Sequence, residues 1–103
     1  MSSAPSAPRL SEVLGALDAL WPPERAEQWD AVGTVCGDPE APVTRVLFAV
    51  DPVQDIADEA VRLGAELVVT HHPLYLRGTT TVAASTFKGR VVHTLIKNDI
   101  ALH

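Results

Sequence analysis

The sequence predicts an α/β fold in which a βαβ-containing sheet is flanked by helices. Two β-branched and apolar segments, residues 43–50 and Leu67–Thr70, are separated by a segment with helical spacing. A strand, a helix and a second strand in so short a length form a βαβ unit, whose strands run parallel. Because both strands are nearly continuous in apolar residues, we expect helices on both faces of the sheet.

The first predicted helix begins at Leu10, with Ser11 as a candidate cap, and ends before Pro22. Residues 1–9 precede it and are rich in serine, alanine and proline, so we expect a disordered tail there. Residues 10–103 are assigned to the N-terminal part of one α/β domain. The helix carries apolar side chains at intervals of three and four residues, namely Leu10, Val13, Leu14, Leu17 and Leu20.

A short strand is predicted over Val32–Gly37, between two glycines and before a proline-containing turn. Just ahead of it, Trp29 is expected to close the edge of the core with its indole ring. Asp30 is expected to bond the backbone that follows it.

The second helix is predicted to start at Asp51-Pro52 and to stop at Gly64. Aspartate can cap the free N–H groups of a helix, and proline is favoured at the first helical position because it has no N–H to leave unpaired. Glycine is the usual residue just past a helix end. The acidic side chains of this helix, Asp55, Asp58 and Glu59, are interpreted as its solvated face.

After Pro73 the chain enters a long segment that we interpret as a candidate functional loop. Helical spacing returns over Phe87–Lys97, and a last strand begins at Ile100. Since nothing follows this strand but His103, we expect the chain to be cut inside a larger domain and to expose sheet edge and apolar surface.

Composition indicates a single soluble domain, with 103 residues, 47% of them hydrophobic and 20% charged. A net charge of −5 gives no support for nucleic-acid binding, which needs a clustered basic surface. Cys36 is the lone cysteine and is interpreted as a small buried hydrophobe in a reducing compartment. No signal peptide or membrane-spanning segment is recognisable, so we expect a cytoplasmic protein.

The strongest candidate site is the pair His71 and His72, directly after the strand Leu67–Thr70. Ligands of open α/β sheets collect beyond the carboxyl ends of parallel strands, and Asp51 ends the neighbouring strand. Successive strand residues point to opposite faces, so the two imidazoles are expected to suit two metal ions better than one. The residues alone leave open that one histidine joins a hydrogen-bond network while the other is solvated.

Three further residues are candidates for hydrogen-bonding partners that orient the ligands: Asp51, Asp30 and Thr70. For Asp51 the alternative is a helix cap, and for Thr70 it is a plain strand residue. His93 is interpreted as a surface residue of the last helix. Nucleophile-elbow, Walker and dinucleotide-binding glycine motifs do not occur.

Four short motifs follow one another along the chain: Trp29–Gly33, Phe48–Asp51, Gly64–Leu74 and Leu95–Ala101. In order and spacing they resemble the N-terminal part of the Nif-three-like dinuclear metal-centre proteins, which are also called GTP cyclohydrolase type 2 homologues. The sequence departs from the usual pattern at Ala31, where asparagine is usual, and at Thr34, where leucine is common.

The resemblance implies α/β domains that assemble into a toroidal homohexamer, with two divalent metal ions in each full-length subunit. Only His71 and His72 match ligand positions, and His103 matches a position just before a further ligand segment. The remaining ligands would lie beyond His103, so this chain alone is expected to bind ions weakly and to be inactive. Zinc, iron and manganese all suit such ligands.

The activity implied is that of a dinuclear metal-dependent hydrolase acting on a nucleotide-like molecule or a cyclic amide. The alternative is a non-catalytic, ring-forming adaptor whose metal site is structural.

Overall fold

A computed structural model describes residues 6–103 and confirms the predicted α/β fold. Within that range the strands form a parallel sheet in the order β1-β2-β3. The elements are α1 (Leu10–Leu20), a short 3-10 helix (Pro23–Arg25), β1 (Val46–Ala49), α2 (Gln54–Leu63), β2 (Leu67–Thr70), α3 (Phe87–Lys97) and β3 (Ala101–Leu102).

The register of β1 on β2 makes both strands end at one edge of the sheet. Val46 lies opposite Leu67, and Ala49 lies opposite Thr70. On the other side of β2, Ala101 of β3 lies opposite Leu67. The residues that follow β1 and β2 therefore emerge side by side at the carboxyl edge, which is the arrangement expected of a βαβ unit.

Helices cover both faces of β2, as predicted. On one face α2 and α3 pack on the sheet, where Ala60, Val68 and Leu95 are buried together. On the other face Leu10 of α1 is buried against Leu67 of β2, within a second apolar cluster.

The cover over β1 is incomplete. Phe48 lies opposite Val69, whose side chain packs on the α1 side, so by strand alternation Phe48 faces that side too. It is 64% exposed, and Val46 on the same face of β1 and Val50 just after the strand are also exposed. The expectation of helices on both faces is thus met at the centre of the sheet and not over β1.

Helix α1 begins at Leu10 as predicted, but its predicted cap and the predicted start of α2 need correction. The cap of α1 is Arg9, whose backbone N–H donates to the Glu12 carboxylate (3.1 Å), and Ser11 lies inside the helix. Helix α2 begins at Gln54 rather than at Asp51-Pro52, because the Asp51 carboxylate is engaged outside the helix.

The predicted end of α2 at Gly64 is confirmed. This residue adopts the left-handed conformation (φ 69°) that glycine tolerates without penalty. The bounds predicted for β2 and α3 also agree with the structure.

The strand predicted over Val32–Gly37 does not form. Only Cys36 pairs, in an isolated antiparallel bridge with Leu102, and Gly33 (φ 142°) and Gly37 (φ 137°) interrupt the extended backbone. Cys36 itself is partly buried, and burial raises the pKa of its thiol.

Trp29 does not close the core, as its side chain is 69% exposed. The indole lies in an irregular segment that precedes the sheet rather than packing on it. Asp30 does accept the N–H of the next residue, Ala31 (2.8 Å), as expected.

The expected N-terminal tail, residues 1–9, falls partly outside the described residues, which begin at residue 6. The last two residues of that segment are held in place. Val43 N–H donates to the Pro8 carbonyl (2.9 Å), and Arg9 forms a bridge with Pro42. Among the described helices, none combines the length and the apolar character needed to span a bilayer.

Candidate functional site

The histidine pair lies at the carboxyl edge of the sheet, where its backbone continues the β1–β2 pairing. His71 N–H donates to the Ala49 carbonyl (3.2 Å), and His72 N–H donates to the Val50 carbonyl (2.9 Å). These two bonds fix both histidine backbones to the end of the neighbouring strand. The imidazoles thus directly follow the central strand of the sheet, and the rings themselves are exposed.

The ring of His72 is oriented by Asp51. His72 Nδ1 lies 2.6 Å from Asp51 Oδ1, and the two side chains are 56% and 58% exposed. A ring that donates from Nδ1 to a carboxylate keeps its lone pair on Nε2, which is the arrangement that metal-binding histidines commonly show. Of the two roles considered for Asp51, the structure therefore places it as the ring's partner and not as the cap of α2.

The His71 ring lies beside the His72 ring. The two ring centroids are 4.9 Å apart and the ring planes are inclined by 46°. The expectation that the rings would point to opposite faces is wrong, because strict alternation requires a regular strand and β2 ends at Thr70.

Thr70 stabilises the turn that carries the pair. Its hydroxyl donates to the carbonyl of His72 (2.8 Å), so it acts on the backbone and not on a ring. Asp30 also lines this side of the molecule, but the hydrogen bond recorded for its carboxylate goes to Ala31.

His103 lies closer to the pair than the sequence indicated. Thr70 N–H donates to the His103 carbonyl (2.9 Å), which places this residue next to the end of β2. Its side chain is only 15% exposed, with Nδ1 3.0 Å from the Thr34 hydroxyl and Nε2 3.9 Å from the Asp18 carboxylate. The signal that could have revealed it is the register of β3 on β2, which sequence alone does not provide. His93 is exposed on α3, as expected.

A cavity of about 540 Å³ opens at this edge of the sheet. Its polar lining includes the side chains of His71, His72 and His103. Its apolar lining comes from α1, the strands and the segments beside them, and includes Leu17, Trp21, Phe48, Val69, Leu74 and Leu102. A mainly apolar lining with a few polar groups suits a small organic ligand.

Within residues 6–103, no three His, Cys, Asp or Glu side chains lie close enough together to hold an ion. A mononuclear catalytic zinc site usually takes three protein ligands. His71 and His72 could therefore contribute to a metal site only together with ligands other than those in this part of the chain.

A sequence profile of the Duf34/NIF3 (NGG1p interacting factor 3) family matches residues 8–103. The chain belongs to the Duf34/NIF3 family. The resemblance drawn from the sequence motifs is thereby confirmed, and the matched range includes the histidine pair, Asp51 and Asp30.

Members of the Duf34/NIF3 family with similar sequences are longer than this chain. A GTP cyclohydrolase 1 type 2 homolog of Streptomyces coelicolor is 83% identical over 96 residues, which cover 93% of this chain and 34% of that protein. A homolog of the same name from Mycobacterium bovis is 47% identical over 94 residues, covering 91% of this chain and 24% of that protein. The chain thus spans about a third or less of the length of these relatives.

Solved structures of the family have the same fold over this region. A Bacillus cereus protein related to NIF3 superimposes with a TM-score of 0.87 at 31% identity, covering 95% of this chain and 27% of that one. The Staphylococcus aureus protein SA1388 superimposes with a TM-score of 0.88 at 34% identity, covering 96% and 28%. The sheet order and its helices therefore belong to the fold of Duf34/NIF3 proteins.

Proposed function

We propose that this chain supplies His71 and His72 as ligands to a dinuclear divalent-metal centre, and that the complete protein is a metal-dependent hydrolase. The observation that carries the proposal is the 2.6 Å contact between His72 Nδ1 and Asp51 Oδ1 at the carboxyl edge of the sheet. A carboxylate in this position holds the ring and leaves its second nitrogen available to a metal ion.

The donor set fits a divalent ion. Both imidazoles are exposed at the edge of a cavity, and their centroids lie 4.9 Å apart, so their nitrogens can face neighbouring ions. Imidazole together with oxygen ligands suits zinc, iron or manganese.

The residues of this chain would hold the site and its ligand in place. Asp51 fixes the rotation of the His72 ring, and Thr70 fixes the backbone turn beneath it. Two divalent ions, when bound, supply Lewis-acid chemistry that activates water and polarises a substrate. The cavity beside the pair would receive that substrate. Relatives named GTP cyclohydrolase 1 type 2 homolog direct the search to nucleotide-like molecules and cyclic amides.

A second candidate function is a ring-forming adaptor, a homohexamer whose metal site is structural. It is favoured by the uncovered apolar face of β1, where Val46, Phe48 and Val50 are exposed. Exposed apolar faces of this kind commonly mark interaction surfaces.

The metal-binding part is tested by metal analysis of the natural full-length protein. We expect the wild type to hold about two divalent ions per subunit, and His71→Ala or His72→Ala to lose at least half of that metal. The matched control is His93→Ala, an exposed histidine on α3, which should retain wild-type metal. Since all three side chains are exposed, unfolding is not expected to follow from their removal. Wild-type metal content in both variants of the pair would show that they are not ligands.

The hydrolase part is tested by assaying a panel of nucleotides and cyclic amides. We expect turnover by the metal-loaded protein, and its loss after chelation and in the His71→Ala, His72→Ala double variant. Light scattering of the same samples measures whether the homohexameric ring is intact. Bound metal and an intact ring without turnover of any compound would favour the adaptor.

A further inference from the structure

Charge is distributed unevenly along the chain. Every one of the 13 acidic residues lies outside the segment 67–98. That segment contains β2, the loop after it and α3, and its charged side chains are all basic, namely Arg77, Lys88, Arg90 and Lys97. The chain is acidic as a whole, with a net charge of −5, and these four cations lie in a segment that contains no carboxylate.

One of these basic groups contacts an aromatic side chain that lines the histidine cavity. Lys88 Nζ is 5.6 Å from the centroid of the Tyr75 ring, and Tyr75 lines the cavity. The same ammonium is 5.9 Å from the centroid of the Phe87 ring. Two aromatic faces attract the cation and limit the positions of an otherwise flexible side chain. Lys88 is half-buried as a result.

Neither Lys88 nor Arg77 is neutralised by carboxylates of this part of the chain. The ion pairs among the described residues involve Arg9, Arg62 and two histidines, and neither Lys88 nor Arg77 takes part. Arg77 follows Tyr75 by two residues in the loop that leads away from the cavity. Cations that lack a carboxylate partner are free to bind an anion.

We propose that Lys88, assisted by Arg77, forms an oxyanion subsite at the rim of the histidine cavity. The subsite binds the phosphate or carboxylate group of a small-molecule ligand whose remaining part occupies the cavity. The inference rests on the proposed function in placing the reacting end of that ligand near His71 and His72. The cavity volume of about 540 Å³ is typical of sites for small organic molecules. The substrate class is thereby narrowed to anionic compounds.

The test measures anion binding to the metal-stripped full-length protein by calorimetry at low salt. The probes are inorganic pyrophosphate and malonate, and the preferred one identifies the group as phosphate or carboxylate. We expect Lys88→Gln to weaken binding of the preferred probe about tenfold, as the loss of one charge-assisted hydrogen bond predicts. Arg77→Gln should weaken it by a smaller factor, and Lys88→Arg should preserve most of it.

The matched control is Lys97→Gln, which removes the same charge at the other end of α3. It should bind the probe as the wild type does. Wild-type affinity in Lys88→Gln would overturn the proposal, and so would equal weakening by Lys97→Gln, which would indicate diffuse attraction without a site. Because the protein is metal-free, the result does not depend on the histidines binding metal. Metal content measured on Lys88→Gln should equal that of the wild type.

Discussion

The amino and carboxyl edges of the sheet each carry a carboxylate that accepts hydrogen bonds, but the partners of the two carboxylates differ. At the amino edge, Glu66 precedes β2 and accepts hydrogen bonds from Thr44 N–H (2.7 Å), the Thr44 hydroxyl (2.7 Å) and Arg45 N–H (3.2 Å). This carboxylate ties the segment before β1 to the start of β2. At the carboxyl edge, Asp51 and His72 bond each other, and the His71 and His72 rings are exposed at a cavity.

The difference indicates which edge is built for a ligand. The donors around Glu66 are main-chain and side-chain groups of the protein itself, so its bonding capacity serves the fold. The Asp51–His72 contact orients one ring and leaves a second ring nitrogen available. The amino edge is therefore expected to respond to mutation in stability, and the carboxyl edge in ligand binding.

The largest expected effect is a difference in the free energy of unfolding between alanine variants of two glycines with similar backbone angles. A Cβ at Gly37 (φ 137°), beside the amino edge, would lie 2.5 Å from the Ala101 Cβ, whereas a Cβ at Gly33 (φ 142°), beside the histidine cavity, would meet nothing within 4 Å. Both alanine variants acquire backbone strain, and Gly37→Ala adds a steric clash. We expect Gly37→Ala to cost about 2 kcal/mol more than Gly33→Ala in urea unfolding. Equal losses of unfolding free energy in the two variants would mean that the backbone at Ala101 shifts to accommodate the added methyl group.

The second prediction concerns metal affinity at the carboxyl edge. Asp51→Asn removes the negative charge that holds the His72 ring, so metal affinity measured by chelator competition should fall about 10- to 100-fold. Stability should change by less than about 0.5 kcal/mol, because the side chain is exposed. Asp55→Asn, on the exposed face of α2, is the matched control and should leave metal affinity unchanged. A clear loss of stability with unchanged metal affinity would instead assign Asp51 to the fold.

The smallest effect is a pH dependence at the amino edge. The N–H of Thr44, followed by its hydroxyl, holds the pKa of Glu66 below its ordinary value of 4.5. The folded state thus binds this proton less readily than the unfolded state. The resulting stabilisation is complete above pH 4.5 and is lost as the pH falls through the lowered pKa of the folded state.

Glu66→Gln removes this charge and should flatten the acid side of the stability profile. The change should be less than about 1 kcal/mol, because a partly exposed carboxylate is still screened by solvent. Unfolding by urea at a series of pH values measures it. Metal affinity should not change, and a parallel change in metal affinity would show that the two edges are coupled.

The predictions from sequence were correct where the structure depends on residues close together in the chain. Glycine at position 64 ended α2 as predicted, and the bounds of β2 and α3 agreed with the structure. The strand predicted over Val32–Gly37 does not form because pairing requires a partner with matching backbone geometry. Two glycines with positive φ limit the pairing to one bridge between Cys36 and Leu102, beside a hydrogen bond from Val35 N–H to the Leu102 carbonyl. The predicted burial of Trp29 was wrong for a related reason, since the burial of a large ring depends on which distant segments pack over it.

By itself the sequence determined the parallel βαβ unit, the family resemblance and the histidine pair at a strand end. These follow from apolar periodicity, turn residues and adjacent side chains, all of which act over a few residues. Only the tertiary structure decided that Asp51 turns away from α2 to hold the His72 ring, a contact between residues 21 positions apart. It also decided that the two rings lie side by side and that His103 joins their cavity. Those outcomes depend on strand register and on where β2 ends, which are set by packing between distant segments.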